Sequence, residues 1–169
     1  MGRTSLQDVR SVGDPLLSFN WDLIIPRFPG VGDSRAFTFK CQTSSIPGML
    51  LEQVPVALHG IELRFAGRKN YSHSFPVTIL ETHDMDTRNM FMAWSELARS
   101  WTLNTGTPKA IYGANILLIL YDDTPAIVKT IQLQGAWPET VDDAQLDGQS
   151  SAIVTYNVTF SYDLPVDLS

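Results

Sequence analysis

Between Val154 and Tyr162 every second residue is apolar: Val154, Tyr156, Val158, Phe160 and Tyr162 alternate with Thr155, Asn157, Thr159 and Ser161. A period of two puts the first set on one face of an extended strand and the second on the other. The pattern recurs. Leu17, Phe19, Trp21, Leu23 and Ile25 alternate with Ser18, Asn20 and Asp22, and Phe37, Phe39 and Cys41 with Thr38, Lys40 and Gln42. These two runs, joined across the turn-rich stretch from Phe28 to Asp33, are predicted to form a hairpin. Phe75, Val77 and Ile79 mark another core strand, and in a later one Ile127, Ile131, Leu133 and Trp137 are predicted to face inward. Ala114 to Asp122 is apolar on both faces, as a central strand is. The fold class that follows is mainly β: an antiparallel β-sandwich or flattened barrel carrying one α-helix and a long protruding hairpin.

The helix is read from Met90, Trp94, Leu97, Ala98 and Trp101, which share one face, with Asp84 or Asp86 as its cap and Gly106 and Pro108 ending it. The hairpin is read from Met49 to Tyr71. That stretch has weak strand character, is broken by Pro55 and His59-Gly60, and runs into Arg68-Lys69, which are placed at a basic tip.

Composition narrows the functions open to such a fold. The 169 residues suit a single domain, and 44% apolar content excludes a disordered chain. Twelve Lys and Arg stand against eighteen Asp and Glu, so a basic nucleic-acid clamp, which must neutralise phosphates, is excluded. All of the excess acid lies in the second half: residues 1–84 hold eight of each sign, residues 85–169 ten acidic and four basic. That asymmetry suits head-to-tail association. One cysteine, Cys41, allows neither an internal disulfide nor a cysteine-based zinc site, and is expected to be a buried structural thiol. The opening Met1-Gly2-Arg3-Thr4-Ser5 has no apolar leader, Leu6 breaks the myristoylation pattern, and the run Ile116 to Tyr121 is too short to span a bilayer. The expectation is a soluble protein made in a reducing cytoplasm, with no membrane insertion.

The chemistry-bearing residues are few. His83-Asp84-Met85-Asp86 has metal-like composition, but Asp before a helix is ordinary capping and no second ligand group lies near in sequence. His59 and His73 flank the hairpin without a nucleophile elbow for Ser72 or Ser74. Asp122-Asp123 precedes Thr124-Pro125 as a turn does. Gly30-Val31-Gly32 resembles a phosphate loop without the following helix or the Lys-Ser/Thr. Arg64, Arg68 and Lys69, interleaved with Phe65 and Tyr71, form the one basic cluster, better matched to an acidic surface on a neighbour than to nucleic acid. Trp94 and Trp101 are read as core. No enzyme, metal or cofactor is expected; a small β-barrel binding an apolar ligand is the alternative in another class.

The outward strand positions are unusual for a solvated sheet, whose edges normally carry charge. Thr130, Gln132 and Gln134 on one strand and Thr155, Asn157, Thr159 and Ser161 on the next are uncharged. They neither repel a further chain nor grip phosphate, which points to assembly; they line a lumen or lie under a neighbouring subunit.

The run Cys41-Gln42-Thr43-Ser44-Ser45-Ile46-Pro47-Gly48, the long extended segment after it, and Phe65-Ala66-Gly67-Arg68-Lys69-Asn70-Tyr71 resemble the tail tube proteins of contractile-tailed bacteriophages. So does the order that follows: a strand from Phe75, a helix around Met90-Phe91-Met92-Ala93-Trp94, a strand ending at Asp122-Asp123, then Gly135-Ala136-Trp137-Pro138 before the last strand from Ile153 to Tyr162. The resemblance spans residues 15–163 and implies one tail-tube domain over 1–169, with the extended hairpin at about 49–71. It implies a virion structural protein, present in host cytoplasm during assembly, whose hexameric rings stack into the inner tube of the tail. The implied partners are further copies of itself, the tail sheath protein, baseplate and tail-terminator proteins, a tape measure protein in the lumen, and DNA in non-binding transit. Arg64, Arg68, Lys69 and Tyr71 are then candidates for contact between subunits or rings, and the seven uncharged residues for the lumen. Inner tubes of type VI secretion and extracellular contractile injection systems share this fold and are the nearest alternative.

Overall fold

The computed structural model describes residues 5–30 and 32–168. Met1 to Thr4, on which the expectation of no apolar leader rests, Val31, in the glycine stretch, and Ser169 lie outside them. In chain order the elements are α1 (Leu6–Arg10), β1 (Trp21–Ile24), α2 (Ser34–Lys40), β2 (Cys41–Thr43), β3 (Leu50–Leu58), β4 (Ile61–Asn70), β5 (Ser74–Leu80), α3 (Asp86–Ala98), α4 (Lys109–Tyr112), β6 (Ala114–Tyr121), β7 (Ile127–Val141), β8 (Thr155–Ser161) and β9 (Leu164–Asp167).

Seven strands form one antiparallel sheet in the order β1-β6-β7-β8-β5-β2, with β9 also on β7. The sheet turns a corner within β7. Before the corner, Ile131 to Leu133 pair with β6 on one side and Ile131 to Gln134 with β9 on the other; after it, Trp137 to Val141 pair with β8. The corner is a bulge at Gly135, whose φ is +63°. Leu133 pairs with Ile116 but Ala136 with Ala114, so the β7 side carries one extra residue. The phase of the alternation therefore slips. Ile131 and Leu133 face the core before the bulge, Ala136 and Pro138 after it, and Trp137 comes out on the other face, edge-on to Tyr112 at 6.2 Å. Inward placement of Trp137, expected from unbroken alternation, is thus corrected, and Ile127 at the strand's start is exposed as well.

The run from Phe37 to Gln42, expected as a strand pairing with 17–25, is mostly helix. Asp33 caps α2, its carboxylate accepting the Arg35 N–H at 3.0 Å, and the helix lies over the seam between β1 and β5. Thr38 Oγ1 donates to the Leu23 carbonyl at 2.8 Å, and Phe37 is buried while Phe39 is 75% exposed. A seven-residue helix shows its own period too weakly to compete with three alternating apolar residues. β1 is also shorter than expected and pairs with β6, whereas β2 pairs with β5. With α2 against this seam the sheet is a nearly closed barrel.

α3 seals the same core. Thr87, Phe91 and Trp94 are its buried residues, spaced for one helix face. Phe28, Phe37, Phe91, Trp94 and Phe160 form an aromatic cluster with centroids 5.4–6.5 Å apart, and the indole Nε1–H of Trp94 donates to the Tyr112 carbonyl at 2.7 Å. The helix ends at Ala98, so Trp101 lies beyond it and is 91% exposed, not core. Nor does Asp84 or Asp86 cap α3. Glu81, at the end of β5, accepts the N–H groups of Thr82 and Thr87 on Oε1 (2.9 and 3.1 Å) and of Arg88 on Oε2 (2.9 Å). A carboxylate placed by the neighbouring strand does the capping, which no local motif reveals.

Candidate assembly surfaces

β3 and β4 form a separate two-stranded sheet that makes its substantial contacts only within itself. They meet at His59 and Gly60, both with positive φ (51° and 80°), as a two-residue hairpin turn requires. Both legs leave the body at the Ser74 end of β5: β2 runs antiparallel to β5 toward that end, and β4 returns to it, with three residues between Asn70 and Ser74. Arg68 and Lys69 therefore lie at the base of the ribbon, and the expected basic tip is corrected: the tip is His59-Gly60. Arg64 sits mid-ribbon, its Nε donating to Glu62 Oε1 at 3.1 Å and its Nη1 to Gln53 Oε1 at 3.0 Å, and Lys69 stands over the Tyr71 ring at 5.8 Å.

The register sorts the ribbon into two faces. The cross-strand pairs Val54–Phe65, Val56–Leu63 and Leu58–Ile61 line one; Pro55–Arg64 and Ala57–Glu62 line the other. The first face is wholly apolar, and most of it is exposed. A lone two-stranded ribbon is marginal in water, and an apolar face of this extent on one is a surface awaiting a partner. The sequence reading singled out the basic residues and missed these six. Their signal is present once the turn is fixed at His59-Gly60, because only then does the pairing show which residues share a face.

The seven uncharged residues occupy the side of the sheet away from the core, as their alternation required, but on two half-sheets. Thr130, Gln132 and Gln134 precede the Gly135 corner, beside Leu117 and Ile119 of β6 and Val166 of β9. Thr155, Asn157, Thr159 and Ser161 follow it on β8, beside Ser74, Pro76 and Thr78 of β5; Thr78 Oγ1 donates to Asn157 Oδ1 at 3.0 Å. None of these outward positions on β8 and β5 carries a charge.

The residues with metal-like or catalytic composition are engaged structurally. Asp122 Oδ1 accepts the Thr124 and Ala126 N–H groups and the Thr124 hydroxyl, 2.8–3.0 Å, closing a turn. The Thr124 side chain is the first cause, with those N–H groups, of the Asp122 carboxyl lying below its ordinary value. Asp86 is 3.9 Å from the Lys40 ammonium. His73 Nδ1 lies 2.9 Å from the Tyr162 carbonyl. Among the described residues no three His, Cys, Asp or Glu side chains come together as a metal site. A helix does follow Gly32, contrary to expectation, but the Asp33 carboxylate occupies its N-terminus, where a phosphate would be repelled. Cys41 is half-buried against the core, and burial pushes its thiol from 9.0 up to about 12.

A nearly closed barrel with an outlying apolar ribbon and uncharged sheet faces has the anatomy of a subunit built for assembly. The chain belongs to the phage tail tube protein family, whose model matches residues 24–164; tail tube proteins are components of the virion tail. It is 29% identical over 130 residues to the tail tube protein gp19 of Enterobacteria phage T4, covering 75% of this chain and 79% of that one. Its fold is shared with a chain in the structure of the PVC sheath/tube terminator of an extracellular contractile injection system (TM-score 0.67, 12% identity, 94% and 99% of the two chains). A chain of the PVC sheath-tube complex is similar as well (TM-score 0.61, 15% identity, 99% of both).

Proposed function

We propose that this chain forms hexameric rings that stack into the inner tube of a contractile phage tail, the conduit for DNA during ejection. The observation that carries the reading is the ribbon: six apolar side chains on one face of a two-stranded sheet with no partner in its own subunit. Burying them against another copy offsets the cost of ordering the ribbon. Sixfold symmetry rests on the family. The uncharged faces of β7 and β8 supply either a lumen that leaves phosphates unpaired, so that a duplex slides, or a surface covered by the next subunit. We assign Thr130, Gln132, Gln134, Thr155, Asn157, Thr159 and Ser161 to the lumen, and Arg64, Arg68, Lys69 and Tyr71 to contacts between subunits. In this reading the whole chain acts as one tail-tube domain with no catalytic role. Its partners are sheath, baseplate, terminator and tape measure proteins, and assembly takes place in host cytoplasm.

Electron microscopy of the concentrated protein beside a sizing column tests the proposal. Rings or hollow tubes of uniform bore are expected; a chain that stays monomeric at high concentration, with and without a baseplate nucleus, overturns it. Single cysteines at Gln132 and Asn157 in a Cys41→Ser background test the lumen. Rapid modification in assembled tubes by a bulky reagent confined to the exterior overturns that assignment.

A further inference from the structure

After α3 ends at Ala98 the chain makes a short, closely braced loop. Arg99 and Gly106 pair as an isolated bridge. The Ser100 N–H donates to the Thr105 carbonyl and the Asn104 N–H to the Ser100 carbonyl, both at 2.9 Å, and Asn104 takes the positive φ (52°) of a tight turn. Side chains add to the bracing. Glu96, in the last turn of α3, accepts the Ser100 hydroxyl at 2.7 Å and the Trp101 N–H at 3.0 Å, and Arg99 Nε donates to Asn104 Oδ1 at 3.0 Å. What this frame presents is apolar. Trp101 is 91% exposed and Leu103 74%, and no residue from Ser100 to Thr105 carries a charge. An aromatic side chain on a backbone already fixed loses little freedom when a partner buries it, and tryptophan is prominent among residues that anchor interfaces.

The fold also holds a matching receptor. A cavity of about 310 Å³ lies among Leu16, Trp21, Ser44, Ile46, Leu118 and Leu120, and no charged residue lines it. Leu118 and Leu120 are buried and form its floor; Leu16 and Ile46 are exposed and form its rim. The Ser44 hydroxyl is buried and has no hydrogen-bond partner among the described residues. A turn about its χ1 brings that oxygen into the cavity it lines. An apolar hole with one unmet hydroxyl suits an apolar occupant that carries one polar hydrogen, and an indole is such a group. Among the described large apolar side chains that are exposed, Trp101 alone has a hydrogen-bond donor.

The two features lie toward opposite ends of β6. Leu97, at the foot of the loop, lines a cleft with Gly113, just before the strand begins, whereas Leu118 and Leu120 belong to its second half. The strand from Ala114 to Leu120 covers about 20 Å. Knob and cavity therefore meet only between copies, in a heterologous contact that repeats from each copy to the next.

Resting on the reading that the chain assembles with copies of itself, we infer that Trp101 of one copy seats in the Ser44 cavity of a second. Its Nε1–H donates to Ser44 Oγ there, and Leu103 covers Ile46 at the rim.

The test uses the full chain. Trp101→Ala is expected to raise the concentration needed for assembly at least about tenfold, read by sedimentation, while its melting transition as a subunit stays unchanged. Ser44→Ala is expected to move two readouts in opposite directions. The unassembled subunit melts higher, because a buried hydroxyl without a partner is gone, and assembly weakens several-fold, because the indole loses its acceptor. A purely structural role for Ser44 would not divide them. In a Cys41→Ser background, Leu103→Cys combined with Ile46→Cys is expected to give a ladder of linked subunits when the assembled protein is oxidised, and Leu103→Cys combined with Leu146→Cys to give none. Assembled protein that yields no Leu103–Ile46 product, or a Trp101→Ala variant that assembles at the parent's concentration, overturns the inference and leaves the assembly reading standing. A parent chain that stays monomeric at every concentration overturns both.

Discussion

The residues that matter most to the body are those that serve a neighbouring element. Glu81 follows β5 yet caps α3 with two backbone hydrogen bonds, from the N–H groups of Thr87 and Arg88, and accepts that of Thr82 as well. Glu81→Ala leaves those N–H groups to water and is expected to cost about 1–2 kcal/mol in denaturant unfolding, with Glu81→Gln recovering part of it through its remaining carbonyl. Asp84→Ala, at the position a local reading would choose, is expected to change little. Cys41 provides a pH signature. Burial raises its thiol from 9.0 to about 12, so between those values the folded chain holds a proton that the unfolded chain has released. Stability is then fully present below about pH 9 and falls as pH rises toward 12. Cys41→Ser, compared with the parent in alkaline denaturation curves, is expected to lose that component of the slope. At pH 8 a thiol reagent is expected to react slowly with the native chain and fast with the unfolded one.

At the scale of elements, the corner in β7 decides the shape of the barrel. Gly135 holds φ +63°, and a Cβ there would collide with Asp163 Oδ2 and meet Lys109 Cε at 3.2 Å, the two members of the Lys109–Asp163 ion pair. The contact is relieved by moving two exposed side chains, but the backbone strain is not. Gly135→Ala is expected to destabilise the fold by roughly 1–2 kcal/mol in thermal or denaturant melts. The bulge was invisible to a reading by alternation because Gly135 interrupts a run whose inward residues continue on both sides of it, in different phase. The same limit misplaced the α2 segment. Its helical signal was one cap, Asp33, and one buried face residue, Phe37; its competing strand signal was three alternating apolar side chains. What settles the contest is the open seam beside β1, which a short helix with an aromatic residue fills and a further strand would not.

At the scale of the whole molecule, the ribbon is an apolar surface that its own subunit leaves uncovered. A two-stranded sheet exposing Val54, Val56, Leu58, Ile61, Leu63 and Phe65 opens easily when isolated. Amides of 50–70 in the unassembled subunit are therefore expected to exchange hydrogen quickly, and limited proteolysis is expected to nick the turn at His59-Gly60. Both are expected to be suppressed in assembled tubes, while protection of Val158 and Phe160 in the core stays unchanged. Equal protection of the ribbon before and after assembly would show that it is stable alone. The charge division along the chain gains a spatial meaning here. Arg68 and Lys69 of the neutral first half lie at one end of the body, and Asp142 and Asp143 of the acidic second half at the other.

The sequence alone determined the mainly β architecture, because the two-residue period recurs along the chain with one apolar face in each long run; only over the short run 37–42 does a helix take its place. It also determined the inward faces of β5 and β8, the existence of a helix around Trp94, and an outlying hairpin whose weak patterning matches its lack of a core to bury. It did not determine which strands meet, where β7 turns, what caps α3, or which side of the hairpin is apolar. Those depend on pairing register, and register is decided by long-range contact: the Ile116–Leu133 and Ala114–Ala136 pairs at the bulge, and the His59-Gly60 turn that brings Val56 opposite Leu63. Alternation states that a residue has an inside and an outside; only the neighbouring strand decides which is which beyond a bulge.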